Sequence, residues 1–359
     1  MGRYVKDKNS WRKIGMRNRT LDIAKGIAMI SIILGHLSVR KINCFVFTYH
    51  IPIFYLITGY FLFGIEKYNF KKFVGKKARG LLVPYYIACL FIIVLSIPIN
   101  IHYGEDVKKQ VIRWVIASLY AAGDSYTEPF IIPGIGAIWF LWATFWGSII
   151  MYLLIKKKSG VRVGAILVLF VICYWSRRIC WFPLSIQAGG CSVLFMYIGW
   201  LYHKEEKNIK QLLGVISVEA KVFLVIIVFS VWISFIRNFS SFWLVHCDVG
   251  QGIRDICASI CACICVLLIS RQLDNKSKYI GSWCAYLGRY SLLILIVHII
   301  ELNLVPYWRI YGWFAGYGIT ITDNICLCVK ITIKLILDLA GTVLLSKLKI
   351  VRKMLGYKE

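Results

Sequence analysis

The sequence contains few charged residues and no polar segment long enough to fold by itself. Lys, Arg, Asp and Glu make up only 17% of the 359 residues, whereas 59% are hydrophobic, and the mean hydropathy is +0.70. This composition lies far outside the range of soluble globular domains and excludes a water-soluble protein. No segment between apolar runs exceeds about 35 residues, which is too short for an independent core, so we predict one membrane domain.

The alternation of apolar and polar residues that is typical of β-strands is also missing. Ten apolar runs are long enough to cross roughly 30 Å of hydrocarbon. A chain inside a bilayer must satisfy its backbone hydrogen bonds internally, and helices do so. We therefore predict an all-α, polytopic integral membrane protein with about ten transmembrane helices. The runs cover residues 21–39, 44–65, 81–101, 136–155, 161–176, 184–202, 219–236, 253–271, 284–304 and 326–346.

Acidic residues are scarce, with 17 Asp and Glu against 43 Lys and Arg, and the formal net charge is +26. Such an excess can indicate a nucleic-acid partner, but here the basic residues follow the membrane topology. When the segments between the runs are assigned alternately to two sides, one side receives about 29 basic residues and the other about ten. This bias predicts cytoplasmic N- and C-termini and no nucleic-acid partner.

The domain organisation follows from this topology. We predict a basic cytoplasmic tail over residues 1–20, a transmembrane domain over residues 21–346 and a second basic cytoplasmic tail over residues 347–359. The first apolar run is expected to remain as a helix because it carries Asp22 and Lys25 and lacks a cleavage pattern. The 13 cysteines lie mostly within apolar runs, as small packing residues do, so no metal site is predicted.

Lys25 and His36 lie on one face of the first predicted helix. Their separation makes almost three helical turns, which puts the two side chains about 16 Å apart along the helix axis. Asp22 belongs to the same stripe. Ionisable groups within a spanning helix are costly and usually face the protein interior, so we predict a polar path along this helix.

The predicted topology brings three histidines and a carboxylate to one level in the outer half of the membrane. Neutral imidazole accepts a proton near physiological pH, so this layer suits general-base chemistry, with His36 as the base. The structural alternative is that each histidine only forms an interhelical hydrogen bond. Near the outer surface, the indole of Trp139 fits either a sugar ring or the aromatic belt. The residues assigned to substrate binding are His50, Trp139, His298 and Glu301.

On the cytoplasmic side, four cations form a candidate site for a phosphorylated ligand. They are Lys25, Lys76, Lys77 and Arg79. The alternative for the last three is the binding of anionic membrane lipids by a juxtamembrane basic cluster. The basic segment of residues 68–83 also predicts a short interfacial helix.

The last apolar run carries two cations and an anion at membrane depth. Lys330, Lys334 and Asp338 follow one another at steps of four residues and therefore share a helical face. We predict a structural ion pair between Lys334 and Asp338, with binding of the acceptor as the alternative.

Five segments together resemble the acyltransferase-3 family, the bacterial integral membrane O-acyltransferases that modify surface polysaccharides and related glycans. The first carries a basic residue, ten intervening residues and a histidine, here Lys25 to His36, although the usual Arg is Lys and loses the planar fork. The others are YHIPIFYLITGYF from residue 49, KKARGLLVPY from residue 76, IWFL from residue 138 and LGRYSLLILIVH from residue 287. The pattern is most similar to stand-alone members that resemble fucose O-acetylases.

The resemblance implies an O-acyltransferase of the bacterial plasma membrane, surrounded by membrane lipids. Cytoplasmic acyl-CoA, expected to be acetyl-CoA, would be the donor, and a hydroxyl of a surface glycan or lipid-linked saccharide would be the acceptor. On this interpretation His36 removes the hydroxyl proton as the oxygen attacks the thioester, and Lys25 anchors the donor. An acyl-imidazole intermediate on His36 would satisfy the same geometry.

A transporter or permease is the main alternative, because intramembrane His, Glu, Lys and Asp residues also build proton relays and substrate sites. The chain has no visible internal repeat and no duplicated half, which weakens this alternative. A membrane sensor without catalytic activity is a third possibility.

Overall fold

The structure is a computed structural model that describes residues 18–316 and 323–357. Within these residues the chain is helical and has no β-strand, which confirms the predicted all-α class. The helices are α1 (Arg19–Gly35), α2 (Arg40–Val46), α3 (Pro52–Phe61), α4 (Phe70–His102), α5 (Val107–Tyr120), α6 (Trp139–Ile155), α7 (Ser159–Ser176), α8 (Ile186–Val215), α9 (Val218–Arg237), α10 (Ile253–Lys276), α11 (Lys278–Arg289), α12 (Ser291–Leu304), α13 (Tyr307–Gly316), α14 (Asp323–Leu335), α15 (Gly341–Lys347) and α16 (Lys349–Met354).

Five of the described helices are long and apolar enough to cross a membrane, namely α4, α7, α8 with the turn before it, α9 and α10. The pair α11 and α12 makes a sixth if it counts as one span, with a bend of 72° between the two helices. Two shorter helices, α3 and α6, are also apolar. Each of the ten predicted runs overlaps a helix, whereas the number of spans and the side of the termini stay predictions.

The expected short interfacial helix over residues 68–83 is wrong, because this segment is the first half of the single 33-residue helix α4. The side chain of Asn69 caps this helix by accepting hydrogen bonds from the backbone N–H groups of Lys71 and Lys72. Pro84 lies inside the helix without ending it. A helix of this length extends about 50 Å, so its basic first turns continue beyond the hydrocarbon layer.

The predicted tails are only partly described. Residues 1–17 lie outside the described residues, and the predicted C-terminal tail contains the short helix α16.

Two pairs of helices approach each other closely at glycines. A Cβ atom on any of these glycines would meet a backbone carbonyl of the facing helix. Gly26 and Gly288 join α1 to α11, and Gly59 and Gly199 join α3 to α8. Small residues of this kind allow helix backbones to pack tightly within a membrane. These contacts fix α1 and α3, and the site histidines adjoin the two helices, because His36 follows the last residue of α1 and His50 lies just before α3.

Burial divides the helices into an inner and an outer group. Helix α6 and the first half of α8 are buried along most of their length, whereas α7 and α9 each have only two buried residues. The exposed side chains of α7 and α9 are mainly large and apolar. In a membrane protein, these two helices therefore suit the lipid-facing layer.

Candidate functional site

A cavity of about 590 Å³ lies between α1, α2, α3, α4, α6, α12 and two loops. Its wall includes both Ser291 and Leu302 of α12, so it extends for about 16 Å along that helix. Asp124 lies near the last turns of α12, because Gly134 adjoins its backbone and Gly136 adjoins Ile299 and Asn303. We call this side of the cavity, which Asp124 and Trp243 line, the Asp124 end. The opposite side, where Ser291 begins α12 and Leu81 also lines the wall, is called the Leu81 end.

The predicted stripe of α1 forms part of the cavity wall. Met29, Ile32 and His36 recur at helical spacing and all line the cavity. Lys25 continues the stripe one turn before Met29 but is not among the lining residues. Its ammonium lies 2.9 Å from a carboxylate oxygen of Asp22, so this buried carboxylate compensates its charge.

His36 and His50 both line the cavity, and a backbone carbonyl fixes the tautomer of each. The Nδ1–H of His36 donates to the carbonyl oxygen of Ile32 at 2.8 Å. The Nδ1–H of His50 donates to the carbonyl oxygen of Val46, also at 2.8 Å. In each neutral ring, this arrangement leaves the lone pair of Nε2 to accept a proton.

His298 lies behind His36 and is fully buried. Its Nε2 is 3.3 Å from Nδ1 of His36, and the two rings meet edge to face with centroids 5.0 Å apart. On its other side, Nδ1 lies 2.8 Å from Oδ2 of Asp338 and 3.3 Å from Oε2 of Glu301. A carboxylate and two imidazoles therefore form a continuous line that ends in the cavity wall at His36.

Lys334 completes this buried cluster. Its Nζ donates to both carboxylate oxygens of Glu301 at 2.9 Å, and the hydroxyl of Tyr307 also donates to Glu301. Two carboxylates and one ammonium leave a net charge of −1 when His298 is neutral, and a proton on His298 cancels it. Because an uncompensated buried charge is costly, the cluster is suited to stabilise a proton arriving from His36.

The predicted ion pair between Lys334 and Asp338 is wrong. Lys334 pairs with Glu301, and Asp338 pairs with His298. The physical reason is a π-helical turn over Ile336–Ala340, which changes the helical register between the two residues. Asp338 thus becomes part of the site although no sequence motif indicated that role.

The same cluster contains the donor atoms that a metal ion would need. Ligand atoms of His298, Glu301 and Asp338 lie within 4.8 Å of one another. However, the Lys334 ammonium already binds both oxygens of Glu301 and supplies a positive charge there. The donor set therefore fits a hydrogen-bonded proton network better than a metal site.

At the Asp124 end, a smaller polar cluster joins the two loops. Nε2 of His246 lies 3.2 Å from Oδ2 of Asp124, and the Tyr126 hydroxyl lies 3.0 Å from Nδ1 of His246. The hydrogen bond from His246 holds the pKa of the Asp124 carboxyl below its usual value. Burial raises the pKa of the Tyr126 hydroxyl, which therefore keeps its proton and donates it to His246.

The remaining predicted site residues fall into two groups. Trp139 is buried and lines the cavity, and its role in substrate binding stays a prediction. Lys76 and Arg79 are exposed on α4, and Lys77 is half-buried one turn before Leu81. Lys77 therefore shares the inward face of α4 with a residue of the cavity wall, whereas its two basic neighbours do not.

Two polar atoms in the cavity wall have no hydrogen-bond partner within the described part of the chain. They are the amide oxygen of Asn43 and the hydroxyl of Thr144. Buried polar atoms are nearly always satisfied by protein, water or ligand. Both atoms are buried within the wall rather than exposed to the cavity, and the sequence pattern pointed to neither.

Comparison with known proteins gives a family but no individual relative. No curated protein and no solved structure matches the chain significantly. Residues 18–333 match the model of the acyltransferase-3 family, which is described as an acyltransferase domain. This match confirms the family resemblance and favours an acyltransferase, with an acyl donor and an acceptor, over a permease. The chain therefore belongs to the acyltransferase-3 family of membrane acyltransferases.

Proposed function

We propose that the protein transfers an acyl group, acetyl in the simplest case, from acyl-CoA to a hydroxyl of a glycan or lipid-linked saccharide. The donor enters at the Leu81 end of the cavity, the acceptor enters at the Asp124 end, and His36 is the general base between them. The observation that supports this proposal is that Leu81, His36 and Asp124 line one and the same cavity. Its volume of about 590 Å³ lies within the range of small-molecule sites.

The distribution of Lys and Arg along the chain indicates which side of the membrane each end of the cavity faces. The Leu81 end adjoins the basic first turns of α4, which the distribution of Lys and Arg assigns to the cytoplasm. Acyl-CoA is a cytoplasmic molecule with several phosphate charges, and no Lys or Arg is among the described residues that line the cavity. The phosphates therefore stay at the entrance, near Lys77, with Lys76, Arg79 and Lys25 further out, while the thioester arm enters.

The chemistry at His36 is an acyl transfer assisted by a base. Nε2 of His36 removes the proton of the acceptor hydroxyl as its oxygen attacks the thioester carbonyl, so that a C–O bond forms. The C–S bond then breaks, and the CoA sulfur takes the proton from His36. Proton transfer of this kind typically contributes about 10² to 10⁴ in rate. In the alternative with an acyl-imidazole, Nε2 attacks first and the acceptor oxygen attacks in a second step.

The buried cluster supports His36 in its charged form. When His36 gains a proton on Nε2, its Nδ1–H, which donates to the Ile32 carbonyl, also lies 3.3 Å from Nε2 of His298. His298 in turn contacts the Asp338 carboxylate at 2.8 Å, so one imidazole separates the positive charge from a fully buried negative charge. Electrostatic interactions are strong in such surroundings, which lowers the cost of charging the base.

Transfer of labelled acetyl groups tests the proposal. Membranes that contain the protein are incubated with radiolabelled acetyl-CoA, and the label in the glycan fraction is counted. We expect His36→Ala to lower the label at least 10²-fold, whereas His102→Ala, which changes an exposed histidine at the end of α4, keeps the activity of the unmodified protein. Unchanged labelling in a folded His36→Ala protein would overturn the role of His36. An acetyl mass on His36 after an acid quench would favour the two-step alternative.

A further inference from the structure

The cavity wall contains very little formal charge, although the chain as a whole has a net charge of +26. Apart from histidines, Asp124 is the one ionisable side chain among the described residues that line the cavity. It lies at the end that the proposed function gives to the acceptor. An acceptor that enters there meets a negative charge and no fixed positive charge in the cavity wall.

Asp124 is held in a defined position and remains accessible. Its Oδ2 contacts His246 at 3.2 Å, and its Oδ1 accepts a hydrogen bond from the backbone N–H of Ser125 at 2.7 Å. Its side chain nevertheless has 54% of its surface exposed. Each carboxylate oxygen can accept a further hydrogen bond, so the group can bind ligand hydroxyls without moving.

Trp243 provides a flat apolar surface beside this carboxylate. The residue is 43% exposed and lines the same end of the cavity. Its ring is stacked against the imidazole of His246 with centroids 5.6 Å apart, and Phe47 contacts it edge to face at 5.9 Å. The indole is therefore fixed by the same histidine that positions Asp124, and such an amphipathic ring suits the apolar face of a sugar.

The Asp124 carboxylate gives this end of the cavity a fixed group that only accepts hydrogen bonds. A molecule that binds its oxygens must bring hydrogen-bond donors. Sugar hydroxyls are such donors, whereas a carboxylate or phosphate on the acceptor would meet Asp124 with like charge.

From these observations we infer that Asp124 and Trp243 form an acceptor-specificity site that selects uncharged saccharides over saccharides with carboxylate or phosphate groups. This inference depends on the proposed function, because it assigns residues and charge selectivity to the acceptor end of the same cavity. Trp243 contacts the ring face, and Asp124 accepts hydrogen bonds from ring hydroxyls. Water and salt screen the charge at this half-exposed position, so we expect a preference of about tenfold rather than absolute exclusion.

A panel of methyl glycosides tests the inference with the full-length protein in nanodiscs. The neutral probes are the methyl glycosides of glucose, galactose, fucose and N-acetylglucosamine, and the acidic probes are those of glucuronic and galacturonic acid. Transfer from labelled acetyl-CoA gives kcat/KM for each probe. We expect kcat/KM for the neutral probes to exceed that of their acidic counterparts about tenfold. Asp124→Asn should remove this difference by raising kcat/KM for the acidic probes, whereas Glu128→Gln, an exposed acid in the same loop, should keep it.

The proposed role of Trp243 is tested with its own matched control. Trp243→Ala should raise the KM of the neutral acceptors about tenfold, and Trp243→Phe should restore most of the binding because it keeps a flat ring. Trp175→Ala removes an exposed indole on α7, far along the chain from the loops of the Asp124 end, and should leave KM unchanged.

Several results would overturn the inference. Equal use of neutral and acidic probes, or a preference that survives in Asp124→Asn, would exclude the charge selection. If no glycoside is acylated while CoA release still depends on His36, the saccharide site is wrong and the donor chemistry stands. If transfer no longer depends on His36 but Asp124 still controls the choice of probe, the proposed role of His36 fails and the specificity site stands.

Discussion

Two clusters of similar composition lie on opposite flanks of the cavity and differ in their exposure to water. Behind His36, the side chains of His298 and Asp338 are 0% exposed and lie 2.8 Å apart. At the Asp124 end, the side chains of His246 and Asp124 are 26% and 54% exposed and lie 3.2 Å apart. Each is a histidine paired with a carboxylate, and each has a tyrosine hydroxyl nearby.

This difference in exposure suits the two clusters to different tasks, although both contain the same residue types. The buried cluster needs the internal ammonium of Lys334 because no water compensates its charges, and its interactions keep their full strength. The exposed cluster needs no such counterion because water and salt screen it. On the proposed function, the buried cluster changes the free energy of the charged base, whereas the exposed cluster distinguishes one acceptor from another.

The largest expected effect is on stability and concerns the buried ammonium. Lys334→Met leaves the Glu301 carboxylate buried without its partner, which should lower the free energy of unfolding by about 3 to 5 kcal/mol. The double variant Lys334→Met with Glu301→Gln removes both charges and should regain most of this loss. Unfolding in detergent micelles, followed by denaturant titration, measures both, and Lys41→Met on the exposed surface of α2 is the control. A stable single variant would contradict the buried pair.

The next effect is on catalysis. Asp338→Asn keeps the size of the side chain but removes the negative charge beside His298, so kcat should fall about 10²-fold. The KM values for donor and acceptor should remain the same, because Asp338 is a positioning residue outside the cavity wall. Asp338→Glu should recover part of the rate. A change in KM with unchanged kcat is the pattern expected when a residue of the Asp124 end is altered. That pattern would contradict the assignment of Asp338 to catalysis rather than to acceptor binding.

The smallest effect is a change in the pH dependence of ligand binding at the Asp124 end of the cavity. The hydrogen bond from His246 lowers the pKa of the Asp124 carboxyl. As the pH falls, this group therefore becomes protonated only below the usual Asp pKa of about 3.9. His246→Phe removes that donor, so the pKa of Asp124 rises. Binding of a neutral glycoside, measured by saturation-transfer NMR, should then weaken at a higher pH than in the unmodified protein. Identical pH curves would show that His246 does not hold Asp124 in its charged form.

Sequence analysis could predict the features that depend on local periodicity. The apolar runs predicted helices because a bilayer leaves few other structures for a spanning chain. The stripe that contains Asp22, Lys25 and His36 followed from the helical repeat, and the structure puts His36 in the cavity wall. What the spacing could not predict was that Lys25 has its own partner, Asp22, and lies one turn away from the cavity.

The buried cluster could not be predicted because its contacts join distant positions. Lys334 and Glu301 are separated by 33 positions, and His298 and Asp338 by 40. Their pairing depends on how α12, α14 and the π-helical turn pack, which no local pattern records. Asp124 and Trp243 lie in loops without periodicity, so only the assembled fold brings them to the same end of the cavity.

Transfer across a sealed membrane tests the central claim most directly. The protein is reconstituted into sealed vesicles that contain an impermeant mixture of neutral methyl glycosides, and labelled acetyl-CoA is added outside only. We expect label to appear in the internal glycosides and His36→Ala to abolish it, because one cavity connects the donor and acceptor sides through that residue. Label that appears only when donor and glycosides share one side of the membrane would contradict a connecting cavity.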